Sequence, residues 1–183
     1  MTKVYLLIGA VGAGKSTCAE KLNKEFGAKI ISADEIYKTL PVKKISTKPY
    51  DHNIRNHILR IMCEELSMCI ENDTDCVLDY TNMPTKRRRK FLTIAKRGGA
   101  ELHCKLLLAD QSTLLNQLNR RESEDHASHK IENKESTTKL YLKRINNSKP
   151  TLLEGFNVIE TYYNGNLVET NIKKANKRYV NRR

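Results

Sequence analysis

The chain carries 183 residues, 39% hydrophobic and 30% charged, with 33 lysines and arginines against 21 acidic residues and a net charge of +12. A chain of that size forms one domain and buries a core without staples, and its lack of any run of about 18 apolar residues excludes a membrane-spanning helix. The excess of cations favours a polyanionic partner.

Val4, Tyr5, Leu6, Leu7 and Ile8 make an unbroken apolar run, the pattern of a short buried strand. A core strand at this position is unlike a charged-then-apolar leader, so no secretory signal and a cytoplasmic location are expected. Gly9, Ala10, Val11, Gly12, Ala13, Gly14, Lys15, Ser16 and Thr17 follow, and after them a helix with Cys18, Leu22 and Phe26 on one face. Strand, glycine loop and helix together fit the P-loop pattern G-x-x-x-x-G-K-[ST] in its required context. The glycines remove side chains where backbone wraps a phosphate chain, and the loop amides and helix N-terminus point at anionic oxygens. Lys15 is placed to reach the β- and γ-phosphates, and the Ser16 hydroxyl to ligate Mg²⁺. The stretch reads as a nucleoside triphosphate site.

Gly27 closes the first helix, and residues 29–32 form a second strand. Asp34 follows it, where the strand ends of an open α/β sheet line a ligand crevice; an Asp at such a boundary serves equally well as a helix N-cap. Residues 37–50 read as irregular, with Pro41, Pro49, and Lys38, Lys43, Lys44 and Lys48 between Tyr37 and Tyr50. Such a basic loop suits phosphate and base contacts or is a solvated connection. Ile54, Ile58, Ile61, Met62, Leu66, Cys69 and Ile70 recur at helical spacing and predict a structural amphipathic helix, with His52 and His57 on its surface or at its cap.

Residues 76–79 read as a buried strand ending in Asp79, which resembles a Walker B strand whose carboxylate lies near Mg²⁺. Asp79, Tyr80, Thr81 and Asn82 are therefore site candidates, against the alternative of a simple turn before Pro84. Residues 86–90, Lys-Arg-Arg-Arg-Lys, open the next helix, where five cations oppose the helix dipole. A bound polyanion would offset that cost.

Gly98 and Gly99 end this helix, residues 101–108 form another strand, and Leu114, Leu115 and Leu118 mark a helix that ends near Arg120 and Arg121. A polar segment at 122–130, including His126 and His129 as solvated residues, leads to a further helix at 134–145. This helix–loop–helix, about 111–148, is read as a lid whose arginines, Arg120 or Arg121, close over the transferring phosphate. Residues 157–161 read as the last core strand. The expected organisation is a domain over 1–170 and a basic tail over 171–183, carrying Lys173, Lys174, Lys177, Arg178, Arg182 and Arg183. The five cysteines, Cys18, Cys63, Cys69, Cys76 and Cys104, form no C-x-x-C pair and read as reduced thiols. The fold class is α/β: a P-loop NTPase-type parallel sheet flanked by helices, with a helical lid.

Three blocks together resemble the 5′-hydroxyl polynucleotide kinases: GAVGAGKST, ISADEI and VLDYTNMPTKRRRKF; a fourth, KPTLLEGFNVIE, is similar to the segment after the lid in eukaryotic members. The resemblance implies ATP and Mg²⁺ as cofactors and a nucleic acid with a 5′-hydroxyl end as partner. It implies that Asp34 is the general base, that Lys15 neutralises charge on the transferred phosphoryl, and that Ser16 holds Mg²⁺. It places Asp79 on the acceptor side, with Thr81, Asn82 and Arg88 matching the motif that follows. This chain departs from the family at Ser32 and Ala33, where Asn-Arg is common, and at Tyr37, where phage members have an arginine; Lys38 stands beside it.

The lead reading is transfer of the γ-phosphate of ATP to the 5′-hydroxyl of RNA or DNA. One rival is a kinase of a small metabolite, nucleoside or nucleotide. Another, of a different class, is an ATP-regulated nucleic-acid-binding module without transferase activity. A GTPase is disfavoured, because Asn133, Lys134, Glu135 and Ser136 lack the aspartate that reads guanine.

Overall fold

Alternation decides how the first strand is used. In the computed structural model, which describes residues 1–41, 51–123, 131 and 133–174, β1 (Lys3–Gly9) sits in the middle of the sheet and is buried on both faces. Val4, Leu6 and Ile8 join the larger core cluster, whereas Tyr5 and Leu7 join a smaller one. The sheet has six strands in the order β2-β3-β1-β4-β5-β6, with β2 (Lys29–Ser32), β3 (Cys76–Asp79), β4 (Glu101–Leu108), β5 (Val158–Tyr163) and β6 (Asn166–Ile172). All pairs are parallel except β5 with β6. This is the mostly parallel, helix-flanked sheet of the P-loop NTPase fold.

The helices divide between the two faces. On one lies α1 (Lys15–Phe26), which places Ala19 and Leu22 on Tyr5, Leu7 and Val77. Phe26 departs from the expected buried stripe: it is 49% exposed and stacks on Tyr5 at 6.1 Å between ring centroids. On the other face lie α3 (His52–Glu71) and α4 (Thr85–Arg97). Helix α3 starts where Asp51 accepts a hydrogen bond from the Ile54 amide at 2.9 Å, and it buries Ile54, Ile58, Met62 and Leu66 completely or nearly so. Each such side chain contributes about 1.5–3 kcal/mol. The region read as a lid contains α5 (Gln111–Ser123) and α6 (Lys134–Asn147).

Two elements differ from the sequence reading. Residues 37–39, read as the start of an irregular stretch, close a helix, α2 (Ala33–Thr39), whose N-cap is Ser32, with its hydroxyl accepting from the Glu35 amide at 3.4 Å. Asp34 therefore lies inside the first turn and is not the cap. The strand expected to be last is followed by β6, an antiparallel edge strand turned by Asn164 and Gly165, both at positive φ. All seven residues of β6 are exposed, so no apolar periodicity announces it. It runs to Ile172, inside the span assigned to the tail. The loop lysines Lys43, Lys44 and Lys48, the histidines His126 and His129, and Lys177, Arg178, Arg182 and Arg183 lie outside the described residues. The five cysteines are all free. No helix among the described residues is long and apolar enough to cross a membrane.

Candidate active site

Parallel pairing brings the candidate residues to one edge of the sheet. β1 ends at Gly9, while Ser32 of β2 and Asp79 of β3 pair across from each other at the adjacent strand ends. Gly9 is packed so closely against β4 that a Cβ there would sit 2.8 Å from the Leu107 carbonyl oxygen. Beyond it, Gly12 and Gly14 have φ of 84° and 86°, values an L side chain resists. Gly14 is the N-cap of α1, so the amides of the loop and first turn converge on one spot.

Lys15 Nζ donates to the Ala10 carbonyl at 2.7 Å, which folds the lysine back over the loop. Burial pushes its ammonium below the ordinary lysine value, against the attraction of Asp79 and Asp34. Ser16 Oγ donates to Asp79 Oδ2 at 2.9 Å. Burial, assisted by the like charge of Asp34, raises the Asp79 carboxyl, with Lys15 and the Ser16 hydrogen bond opposing. Asp79 thus sits against the hydroxyl of the glycine-loop serine, and it lines the same cleft as Thr81, which the family resemblance puts on the acceptor side. A loop turned by glycines at positive φ onto a helix N-terminus, a lysine, and a hydroxyl paired with a carboxylate make a set that fits a triphosphate and a divalent cation.

A cleft of about 460 Å³ opens beside this set. Lys15, Ser16, Asp34 and Asp79 line it together with Tyr80, Thr81, Arg87, Arg55, Tyr141 and Arg144; Arg121 of α5 and Lys134 of α6 line it as well. Arg87 donates to Thr81 Oγ1 at 3.3 Å and lies over the Tyr80 ring, 4.6 Å from its centroid. Lys134 joins the two lid helices, donating to Asn119 Oδ1 at 2.7 Å and pairing with Glu122.

Three predicted residues lie elsewhere. Arg88 is fully buried: Nε and Nη2 form a fork onto Glu154 at 2.9 and 2.7 Å, and Nη1 and Nη2 also donate to the Asn82 and Met83 carbonyls and to Thr85 Oγ1. Its donors are committed to the protein, which corrects the substrate-binding role implied for it. Asn82 is likewise fully buried, with φ of 45° and Nδ2 bound to the Leu7 and Leu78 carbonyls at 2.9 and 3.4 Å. It anchors the loop after β3 to the sheet and does not line the cleft. Of the lid arginines, Arg121 lines the cleft and Arg120 does not.

The residues not singled out from sequence are Arg55, Arg87, Lys134, Tyr141 and Arg144. One signal was present: Arg88 shares the apolar stripe of Phe91, Leu92 and Ala95, so α4 turns Arg87, not Arg88, off that stripe.

A family model described as an AAA domain matches residues 4–146. No curated protein sequence matches the chain. Among solved structures, one from the PezAT chromosomal toxin–antitoxin system of Streptococcus pneumoniae is 16% identical over 93% of this chain and 71% of that one, with a TM-score of 0.71. A chain of the Pnkp1/Rnl/Hen1 RNA repair complex is 17% identical with a TM-score of 0.66, and the match covers 81% of this chain but 45% of that one. A gluconokinase from Sinorhizobium meliloti 1021 is 20% identical, over 78% of this chain and 74% of that one, with a TM-score of 0.55. At these identities the likeness shows the fold, which is that of the P-loop kinases.

Proposed function

The chain belongs to the AAA-domain family, and on that premise we propose that it is a phosphotransferase that phosphorylates the 5′-hydroxyl of RNA or DNA ends. The observation that carries this reading is the continuity of one cleft. Asp34 shares that cleft with a phosphate-binding set, Lys15, Ser16 and Asp79, and with a wall of cations and tyrosines, Arg55, Arg87, Arg144, Tyr80 and Tyr141. Hydrolysis of a triphosphate by water needs no such wall. An acceptor with phosphates and stackable bases does.

When bound, ATP with Mg²⁺ supplies the transferable phosphoryl group. The loop amides and Lys15 would hold and neutralise the phosphates, and Ser16 and Asp79 would hold the cation. Asp34 would orient the acceptor hydroxyl and take its proton onto a carboxylate oxygen as the new P–O bond forms and the bond from the γ-phosphorus to the bridging oxygen breaks, releasing ADP. Arg121 faces the same space from the lid region and would offset the charge spread over the phosphoryl oxygens. Tyr80 with Arg87, and Tyr141 with Arg144, would grip the strand beyond its first nucleotide.

The alternative of a small-metabolite kinase draws on the cleft volume, about 460 Å³, which lies in the range of small-molecule sites. One panel separates the readings. γ-Labelled ATP is offered with 5′-hydroxyl oligonucleotides, 5′-phosphorylated controls, nucleosides and gluconate. Label on the 5′-hydroxyl oligonucleotides alone is the expected result. Label on nucleosides or gluconate alone moves the assignment to the metabolite reading. Oligonucleotide binding without transfer to any acceptor moves it to the binding module.

A further inference from the structure

Arg88 and Glu154 are far apart in sequence, yet they make the most elaborate side-chain contact described in the molecule. Both Glu154 oxygens accept from the Arg88 fork, and Glu154 Oε1 also accepts from the Thr151 amide at 3.2 Å. The Glu154 carbonyl accepts from Lys96 Nζ at 2.7 Å. Glu154, the last residue of a short 3₁₀ turn, Leu152–Glu154, is thereby fastened to both Arg88 and Lys96 of α4. That turn is joined through residues 148–151 to α6, the helix that carries Tyr141 and Arg144 to the cleft. On the opposite side, the same guanidinium holds the carbonyls of Asn82 and Met83, in the loop that presents Tyr80 and Thr81, while its chain neighbour Arg87 faces the cleft.

We propose that the Arg88–Glu154 pair is a positioning pair for the acceptor: it sets the distance between the loop wall of the cleft, with Tyr80 and Arg87, and the α6 wall, with Tyr141 and Arg144. The inference rests on reading that half of the cleft as the acceptor side. The phosphate side has anchors of its own. Lys15 is held by Ala10 and Ser16 by Asp79, neither through Arg88 nor through Glu154, and a long backbone bond from the Gly9 amide to the Thr81 carbonyl, 3.4 Å, is the link to the loop wall. Loosening the pair should therefore move acceptor groups and leave nucleotide groups in place. Stability alone is a weak reason for such a pair, because an apolar pair of similar volume often serves a core as well or better. A guanidinium fork adds direction, since it fixes both distance and angle to its carboxylate.

The test compares wild type, Glu154→Gln, Arg88→Lys and the apolar double variant Arg88→Met/Glu154→Leu. For each, KM is measured for a 5′-hydroxyl oligonucleotide and for ATP, together with oligonucleotide binding and the melting temperature. The expected result for the double variant is an acceptor KM raised about tenfold with ATP KM changed less than about twofold, a split that global softening does not produce. Glu154→Gln, which keeps the shape, gives the same split if the double variant fails to fold. Equal changes in both KM values, or an unchanged acceptor KM beside active wild type, overturn the inference and leave the acceptor reading standing. An oligonucleotide that wild type neither binds nor phosphorylates overturns the acceptor reading, and the inference with it.

Discussion

Lys15 and Ser16 reach the cleft from one contiguous loop and helix start, whereas Arg55, Arg87, Tyr141 and Arg144 reach it from three separate helices, α3, α4 and α6. The phosphate side is made mostly of backbone, so its design is written in glycine spacing and depends little on the rest of the chain. The side we assign to the acceptor is made of long side chains, and where they point depends on how the helices pack. A site of the first kind asks little of the rest of the fold; one of the second kind is re-aimed by any shift in helix packing.

The largest expected effect lies where the two sides meet. Asp34→Asn should lower kcat by about 10²–10⁴-fold while nucleotide affinity stays near wild type. Steady-state rates with equilibrium ATP binding check it, and a variant with full activity would sever the link between the sides. Next come the neighbours Arg87 and Arg88. Arg88→Ala leaves Glu154 partly buried and unpaired, and should cost about 3–5 kcal/mol, read as a lower melting temperature. Arg87→Ala should leave stability within about 0.5 kcal/mol and raise the acceptor KM about tenfold, the worth of one charge-assisted hydrogen bond. Equal melting temperatures for the two alanine variants would erase the distinction between a cleft arginine and a core arginine.

The smallest expected effect is a dependence on pH at the start of α5, the helix that carries Arg121. Asp110 accepts from Ser112 Oγ at 2.6 Å, from the Thr113 amide at 2.7 Å and from Asn164 Nδ2 at 2.8 Å. These bonds hold its carboxyl well below the usual carboxylate range. A folded value below the unfolded one contributes stability that is present above the ordinary carboxylate pKa, about 3.9. That contribution is lost as pH falls toward the folded value. Asp110→Asn should therefore be less stable than wild type at neutral pH, and the gap should narrow below about pH 4. Acid titrations followed by circular dichroism check it.

Most of the sheet and all of the phosphate loop were legible in the sequence, because both depend on short-range patterns: apolar runs of strand length and glycines at fixed offsets. Helix α2 was not, since seven residues offer too little periodicity and Ser32 competes with Asp34 as the cap. β6 was not, since an edge strand exposed along its whole length has no buried face to mark it. Within the site, Lys15 and Ser16 were placed by local geometry. Arg88 and Asn82 were misread because a motif carries residue identities but not burial, and only the packing of α4 against the 3₁₀ turn decides which arginine is spent on the fold.

The tight approach at Gly9 has a consequence for how this loop tolerates change. In a saturation scan read out by folding alone, position 14, with open space for a side chain and a left-handed backbone, should give a graded profile. Residues that accept such a backbone, asparagine above all, would survive, and the others would lose about 1–2 kcal/mol. Position 9 should give a flat one. Its obstacle is the Leu107 carbonyl, part of the sheet itself, and the first carbon of any side chain already collides with it. Two glycines of a single motif would thus leave different mutational signatures, one set by a dihedral angle and one by the spacing of β1 and β4.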